Sequence, residues 1–182
     1  WTAMVLLTST AMASASTFQN VITDELYTEQ NHPELYCLAQ NVYFEAKSEP
    51  LAGQYAVADV VLNRVKDNRY PNTICEVVKE GPIKESWKTR QHEDLPDDER
   101  VYYPRKNMCQ FSWYCDGKAD TIRDGDAWRQ AQIVAYRITY NERHRGLTEG
   151  ATHYHADYVS PKWAKTLQLV GRIATHIFYR WP

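Results

Sequence analysis

Two apolar-patterned segments separated by a proline constrain the fold more than any other feature of this chain. Residues 33–48 and 51–67 both place aliphatic side chains at helical spacing, and Pro50 disfavours helical geometry at Glu49. The sequence therefore predicts two successive helices with a break between them. The second helix carries a broad apolar face, so we expect it at the centre of the core. That face consists of Ala56, Val57, Val60, Val61, Leu62 and Val65.

The rest of the chain predicts a mainly helical α+β fold. Thr73 can cap a short helix that runs through Val78, and residues 124–143 again have helical periodicity. From residue 151 onward the pattern changes to short β-branched and aromatic runs, which predict a small antiparallel sheet at the C-terminal end. Residues 79–107 contain several prolines and the charged run HEDLPDDER, and are predicted to form a long surface loop.

The 182 residues fit a single folded domain, which we place at residues 33–182, preceded by an irregular arm at 17–32. Residues 1–16 resemble the apolar region of a secretory signal, with a small-residue cleavage site around Ala13 or Ala15. An irregular arm is the alternative for this segment as well. The apolar run is too short to span a bilayer comfortably, so we expect no stable membrane insertion.

The charge and the aromatic content indicate which kinds of molecule the chain can bind. The chain has 21 basic and 23 acidic residues and a net charge of -2, which gives no general attraction to nucleic acid. It also has 13 Tyr, 6 Trp and 4 Phe. Aromatic faces are used in carbohydrate clefts, because the C–H surfaces of sugars stack on them. A tyrosine-rich core explains the same composition equally well.

Four cysteines indicate disulfides, because an even count stands beside an export-like segment. Cys109 and Cys115 are close enough in sequence for a short bridged loop, which leaves Cys37 and Cys75 as the other pair. A zinc site is disfavoured because the chain has no CxxC pair. Free buried thiols are the remaining alternative.

Glu45 is the leading candidate for catalysis because it lies on the apolar stripe of the first helix. At about 100° per residue, it falls within roughly 20° of Leu38 around the helix axis. Burial and the negative end of the helix dipole both raise the pKa of a carboxyl, which would let it act as a general acid. The alternative is a side chain that escapes to solvent or pairs with Lys47 or Arg64.

Two further groups of residues are candidates for a binding cleft. The run Gln110-Phe111-Ser112-Trp113-Tyr114 offers an amide, a hydroxyl and three aromatics between two cysteines, although a packed turn explains it equally well. In His153-Tyr154-His155, a strand would place both histidines on one face. Such a pair can bind a metal, with Glu45, Asp157 or His176 as the third ligand. No standard zinc-enzyme motif is present, so we predict no metal and no cofactor.

Several motifs in this order resemble the SleB-like family of cell-wall hydrolases. They are LAQNVYFEAKSEP at 38–50, VLNRV at 61–65, QFSWY at 110–114 and HIFYR at 176–180. The resemblance implies a lysozyme-like or lytic-transglycosylase-like fold with a small antiparallel sheet. It also implies cleavage of the MurNAc–GlcNAc β-1,4 bond of peptidoglycan, and the catalytic glutamate of the family matches Glu45.

On this basis the partner is the glycan strand of peptidoglycan, held by side chains around Glu45. The expected sugar-binding residues are Glu49, Gln110, Phe111, Ser112, Trp113, Tyr154 and His155. A lysozyme-type reaction needs a second carboxylate, for which Glu49, Asp116 and Asp157 are candidates, whereas a lytic transglycosylase needs only one. We expect a monomer in the periplasm or secreted to the cell wall, as a wall-remodelling or phage lysis enzyme.

Two other functions fit the same residues. One is a metal-dependent amidase that cuts the glycan–peptide link with His153 and His155. The other is a non-catalytic wall-binding module that uses only the aromatics. The sequence also departs from the simplest family pattern, because residues 79–108 form a longer, charged insertion before QFSW and no peptidoglycan-binding repeat is present.

Overall fold

The computed structural model describes residues 28–182, so the signal-like segment and most of the predicted arm lie outside the described residues. Within this range the fold is mainly helical, with two small antiparallel sheets. The helices are α1 (Pro33–Ala46), α2 (Leu51–Lys66), α3 (Ile74–Val78), α4 (Trp87–Arg90) and α5 (Gly125–Tyr140). The strands are β1 (Ile83–Glu85), β2 (Tyr102–Pro104), β3 (His153–Ala156), β4 (Gln168–Ile173) and β5 (His176–Arg180). Short 3-10 turns occupy Asp97–Glu99, Ser112–Cys115 and Lys162–Thr166.

The ends of the helices follow from local chemistry. Pro33 stands at the start of α1, where a missing N–H costs nothing, and Pro50 directly precedes α2. The hydroxyl of Thr73 accepts a hydrogen bond from the Glu76 N–H at 3.3 Å and so caps α3. Asp124 caps α5 in the same way. The helices α1 and α5 end at Ala46 and Tyr140, a few residues before the predicted ends at 48 and 143.

The core lies where α1 packs against α2, α3 and α5. Leu38, Val42, Val61, Val134 and Ile138 are fully buried there. A disulfide between Cys37 and Cys75 fastens α1 to α3. Helix α2 is central, as its apolar face predicted. It contributes to this core and also to a second buried cluster that it shares with the C-terminal sheet. That cluster consists of Ala56, Val60, Ala151 and Phe178.

The C-terminal sheet has the order β3-β5-β4 and is antiparallel throughout, which confirms the sheet that the change of period predicted. Tyr154 pairs with Phe178 in its register. A buried carboxylate anchors the chain that leads into β3: Asp59 of α2 accepts hydrogen bonds from Thr148 and Gly146, and pairs with Arg145. The sheet is thereby held in a fixed position beside α1 and α2.

The segment predicted to be one long loop contains regular structure. Strands β1 and β2 pair antiparallel, and α4 lies in the connection between them. Arg100 closes the hairpin through an ion pair with Glu85 at 2.8 Å. The loop prediction was wrong because three-residue strands are too short to show an alternating pattern. Among residues 28–182, no helix is both long and apolar enough to cross a membrane.

Candidate active site

An open cleft of about 540 Å³ lies between the end of α1 and the C-terminal sheet. One wall consists of Phe44 and Glu45 from α1 together with the loop 110–116. The other wall consists of β3 and the segment 158–163, and Arg64 of α2 lies in the floor. The fold therefore brings Glu45, the QFSW motif and the HYH motif, which are far apart in sequence, to one site.

Glu45 is partly buried in the last turn of α1 and has one direct hydrogen-bond partner among the described residues. The Tyr154 hydroxyl donates to Glu45 Oε2 at 3.0 Å. Burial raises the pKa of Glu45, and it outweighs the opposing effects of this hydrogen bond and of the Arg64 charge. Lys47 points elsewhere, over the ring of Tyr43. The carboxyl therefore keeps its proton to a higher pH than an exposed glutamate does.

Tyr154 reaches Glu45 because of strand alternation in β3. Its ring packs against His176 and Phe178, with centroid distances of 5.0 and 5.6 Å. The neighbouring His153 and His155 point to the other face, where both contact Trp163. Burial and the adjacent Glu45 carboxylate raise the pKa of Tyr154, so its hydroxyl stays protonated and remains a donor.

Arg64 is a buried cation that the sequence analysis did not assign to the site. Only 5% of its surface is exposed, and its Nε donates to the Thr152 carbonyl at 2.8 Å. The guanidinium lies between the rings of Tyr70 and Phe111, 5.3 and 5.1 Å from their centroids. Its NH1 group has no hydrogen-bond partner among residues 28–182. The spacing could have revealed it, because Arg64 follows Val57 and Val61 at helical spacing on the buried face.

The loop before α5 is closed by the Cys109–Cys115 disulfide, so the cysteines form the two pairs that the spacing made feasible. Trp113 donates from Nε1 to the Asn41 side-chain oxygen at 3.0 Å and stacks on Phe44 at 4.7 Å. Phe111 is almost fully buried under Arg64. Both rings therefore belong to the cleft wall, which corrects the expectation that they offer free faces to a sugar.

Other residues of the cleft are better placed to touch a ligand. Gln110 and Ser112 are exposed at the rim, as their predicted role requires. Tyr158 is 87% exposed and lies with Trp163 on the opposite wall. These two aromatics were missed because no periodicity or motif distinguishes them in the irregular segment after β3.

Glu49 is not among the residues that line the cleft, which corrects its assignment as a sugar-binding residue. Its carboxylate accepts hydrogen bonds from the N–H and the hydroxyl of Thr175, in the turn between β4 and β5. Burial opposes ionisation of Glu49, but these hydrogen bonds dominate and lower its pKa. The residue fastens the end of α1 to the sheet.

Of the three candidates for a second carboxylate, only Asp116 lines the cleft with Glu45. Its oxygens contact the backbone N–H and the ammonium of Lys118 at 2.8 and 3.2 Å. These contacts lower the pKa of Asp116, so it is ionised. Asp157 pairs with Arg172 outside the cleft lining. The site therefore holds one acid with a raised pKa and one anion at its edge.

The two histidines of the HYH motif do not assemble a metal site with their neighbours. His155 Nδ1 lies 2.8 Å from the Ala156 carbonyl oxygen, so Nδ1 carries a proton, and Nε2 lies 3.0 Å from the Tyr179 hydroxyl. Burial lowers the pKa of His153 to about 4. Within residues 28–182, no group of three His, Cys, Asp or Glu side chains could share an ion. The amidase alternative therefore has no ligand set in this part of the chain.

A helical domain with a partly buried carboxyl of raised pKa in an open, aromatic-lined cleft is suited to general acid catalysis of glycan cleavage. Residues 48–179 match the profile of the Cell Wall Hydrolase family, and the chain belongs to that family. This confirms the resemblance inferred from the motifs. The matched range begins three residues after Glu45, so the role of Glu45 rests on the geometry of the cleft.

Curated relatives include two spore cortex-lytic enzymes. The enzyme of Bacillus subtilis is 45% identical over 47 residues, which is 26% of this chain and 15% of that protein. The match to the enzyme of Bacillus cereus has the same identity and length and covers 18% of that protein. The alignments therefore span less than a fifth of the length of these relatives.

Solved structures confirm the fold. The catalytic domain of the Bacillus cereus SleB protein aligns with a TM-score of 0.50 at 24% identity, over 85% of this chain and 92% of that one. The catalytic domain of the germination-specific lytic transglycosylase SleB from Bacillus anthracis aligns with a TM-score of 0.52 at 24% identity. It covers 87% of this chain and all of that one.

Proposed function

We propose that this protein cleaves the MurNAc–GlcNAc β-1,4 bond of peptidoglycan, with Glu45 as the catalytic acid, and that it does so as a lytic transglycosylase. The observation that carries the proposal is the position of Glu45. Its carboxyl has a raised pKa, is held by Tyr154 and opens into a cleft large enough for a glycan. The family match and the SleB relatives support the same substrate class.

The reaction begins with proton donation from Glu45 to the glycosidic oxygen. The bond between C1 of MurNAc and that oxygen breaks, and the GlcNAc fragment leaves with the proton. The N-acetyl group of the sugar stabilises the positive charge at C1. Glu45, now ionised, then removes the proton of the 6-hydroxyl, whose oxygen bonds to C1. The product is a 1,6-anhydro-MurNAc end, Glu45 regains its proton, and no water is consumed.

The neighbours of Glu45 suit both halves of this cycle. Burial keeps the carboxyl protonated for the first step. The Tyr154 hydrogen bond and the Arg64 charge stabilise the anion that forms, because both lower the pKa of Glu45. Since Tyr154 occupies Oε2, the other oxygen is available to the substrate. Gln110 and Ser112 can hydrogen-bond the sugar hydroxyls, and Tyr158 can stack on a ring.

The proposal extends to where and how the protein works. It acts as a monomer on wall glycan, in the periplasm or after secretion to the cell wall. A substrate in that compartment agrees with the two disulfides, which persist in oxidising environments. The export-like character of residues 1–16 points the same way.

Mass spectrometry of digested peptidoglycan tests the reaction type. We expect fragments that end in 1,6-anhydro-MurNAc and that stop forming in Glu45→Gln. Asp116→Asn is the matched variant, because Asp116 is the other carboxylate of the cleft. Under the transglycosylase mechanism Asp116→Asn still forms anhydro ends.

Reducing ends that disappear in Asp116→Asn would instead identify a muramidase with Asp116 as the second carboxylate. Freed stem peptides with intact glycan would identify an amidase and overturn the proposal. Binding to insoluble peptidoglycan without any soluble fragment would identify a wall-binding module.

A further inference from the structure

The hairpin insertion carries a second groove, separate from the cleft. It has a volume of about 450 Å³ and lies between β1, α4 and β2. Its walls are aromatic and basic, since Trp87 and Tyr103 line it together with Lys84, Lys88 and Arg90. The cleft and the groove share no lining residue.

The aromatic side chains of the groove face solvent. Trp87 is 62% exposed and Tyr103 is 53% exposed, and neither belongs to the hydrophobic core. A large exposed aromatic surface of this kind marks a binding site more often than a requirement of folding. Flat amphipathic rings suit the C–H faces of sugars, which stack on them while the hydroxyls stay hydrated.

The cations of the groove are free to bind an anion. None of Lys84, Lys88 and Arg90 has an ion-pair partner within residues 28–182. The groove has one acidic lining residue, Glu85, and Arg100 neutralises it at 2.8 Å. The groove therefore has a net positive charge although the whole chain has a net charge of -2.

The hairpin fixes the backbone positions of these residues. Lys84 lies directly opposite Tyr103 in the β1–β2 register, so their side chains project from the same face. The Ser86 N–H donates to the Val101 carbonyl at 2.7 Å, and Ser86 also caps α4. An ordered scaffold lowers the entropy cost of binding, because the backbone needs no further ordering and only the side chains do.

The base of the insertion is joined to the wall of the cleft. The Gln110 N–H donates to the Glu80 carbonyl at 2.9 Å, and Gly81 packs against Cys109. A Cβ on Gly81 would lie 2.9 Å from the Cys109 Cα, so only glycine permits this approach. The insertion is therefore attached directly to the loop that carries Gln110 of the cleft wall.

We propose that this groove is a second binding site for peptidoglycan, in which Trp87 and Tyr103 stack on the glycan and the three cations bind the carboxylates of stem peptides. The identity of the polymer rests on the proposed function. The chemistry of the groove itself selects an acidic glycan, since it combines aromatic faces with unpaired cations. The groove thereby adds a second contact that holds the enzyme on the wall while the cleft cuts.

Co-sedimentation with insoluble peptidoglycan tests the site in the Glu45→Gln background, where the polymer is not degraded. We expect Trp87→Ala to lower the bound fraction at limiting peptidoglycan several-fold. We expect the triple variant Lys84→Glu, Lys88→Glu and Arg90→Glu to weaken binding about tenfold at low salt, because each exposed charge pair contributes weakly. Raising the salt toward 1 M should remove most of that difference, since the screening length shrinks to about 3 Å.

Matched controls exist at residues that line neither the groove nor the cleft. Tyr140→Ala removes an equally exposed aromatic of α5. The triple variant Lys66→Glu, Arg129→Glu and Arg137→Glu makes the same change in net charge on α2 and α5. Both controls should sediment like the parent protein.

Peptidoglycan whose carboxylates have been converted to neutral amides, which leaves the cross-links intact, identifies the anion. We expect the parent to bind it more weakly than intact peptidoglycan, and the charge-reversed groove variant to bind the two forms equally. Groove variants that sediment like the parent would overturn the proposal. So would a parent that binds both forms equally, because the anion would then be another wall component.

The outcome is separable from the test of the proposed function. With Glu45 present, the groove variants should cleave a short soluble glycan at the rate of the wild type, because the groove shares no residue with the cleft. They should need more insoluble peptidoglycan for half-maximal release. Failure of the catalytic proposal appears in the products, as fragment release by Glu45→Gln, as freed stem peptides or as no soluble fragment at all. Failure of the groove proposal appears in sedimentation.

Discussion

Glu45 and Glu49 are the same residue type four positions apart, yet the fold gives them opposite properties. Glu45 lies in the cleft, where burial raises its pKa. Glu49 lies in the turn after α1, where hydrogen bonds from Thr175 overcome burial and lower its pKa. Burial and donors together decide the difference, because Glu45 is the more deeply buried carboxyl and has one donor, whereas Glu49 has two. One carboxyl is thereby suited to proton transfer, and the other to fastening the sheet.

Replacing each of the two glutamates by glutamine should show the largest difference in activity. We expect Glu45→Gln to lose at least about 100-fold in turnover, the usual scale for loss of a general acid. We expect Glu49→Gln to stay within about twofold of the wild type, as surface substitutions usually do. Release of soluble fragments from peptidoglycan measures both. Comparable losses in the two variants would remove the distinction between them.

The substitution Tyr154→Phe tests how the donor next to Glu45 affects the rate and the pKa of this carboxyl. The substitution removes the donor that stabilises the Glu45 anion, so the rate should fall about tenfold, as expected for a lost hydrogen bond to a charged group. The pKa of Glu45 should rise, and the limb of the kcat/KM profile that falls with increasing pH should move to higher pH. A profile that moved to lower pH would show that Tyr154 does not act on this carboxyl.

The two carboxyls should affect stability in opposite directions. Because its folded pKa is raised, Glu45 costs stability once the pH exceeds the unfolded value of 4.5, so Glu45→Gln should raise Tm at pH 7.5. The lowered pKa of Glu49 stabilises the fold above 4.5, and this contribution disappears as the pH falls through the folded pKa. Glu49→Gln should therefore lower stability at pH 7.5, by about 1 kcal/mol, the usual net contribution of a hydrogen bond.

Thermal melts at pH 7.5 and pH 4 measure these effects. Both differences from the wild type should shrink at pH 4. A Glu45→Gln variant that is less stable than the wild type at pH 7.5 would show that the carboxyl is not destabilised by burial.

The smallest expected effect is a shift in the pKa of His176, and it tests whether Glu49 acts on the cleft although it does not line it. His176 lies between the two regions and lines the cleft. Burial lowers its pKa, Glu49 and Asp157 act to raise it, and His155 acts to lower it. Glu49→Gln should therefore shift the His176 titration to lower pH in NMR spectra, while Glu45→Gln should shift it less. Equal shifts would mean that the two carboxyls do not act on separate parts of the molecule.

Periodicity located the elements well because it reports which face of a segment is buried. The phase that aligns Glu45 with Leu38 is a local property of α1, so the sequence alone could single out this carboxyl. The expectation that Glu49 binds sugar failed because the helix ends at Ala46, so Glu49 lies in the turn that follows and not on the helical face of Glu45. Periodicity also missed the hairpin at 83–104, whose strands are too short for a pattern.

The sequence by itself determined the order of the helices, the C-terminal sheet and the choice of Glu45 as the proposed acid. Only the tertiary structure decided what surrounds that residue: Tyr154 reaches Glu45 across 109 positions of sequence, and Thr175 reaches Glu49 across 126. The physical reason is that a pKa depends on distance to donors, charges and water in space. A local pattern contains none of those distances, because they are set when α1 packs against the sheet.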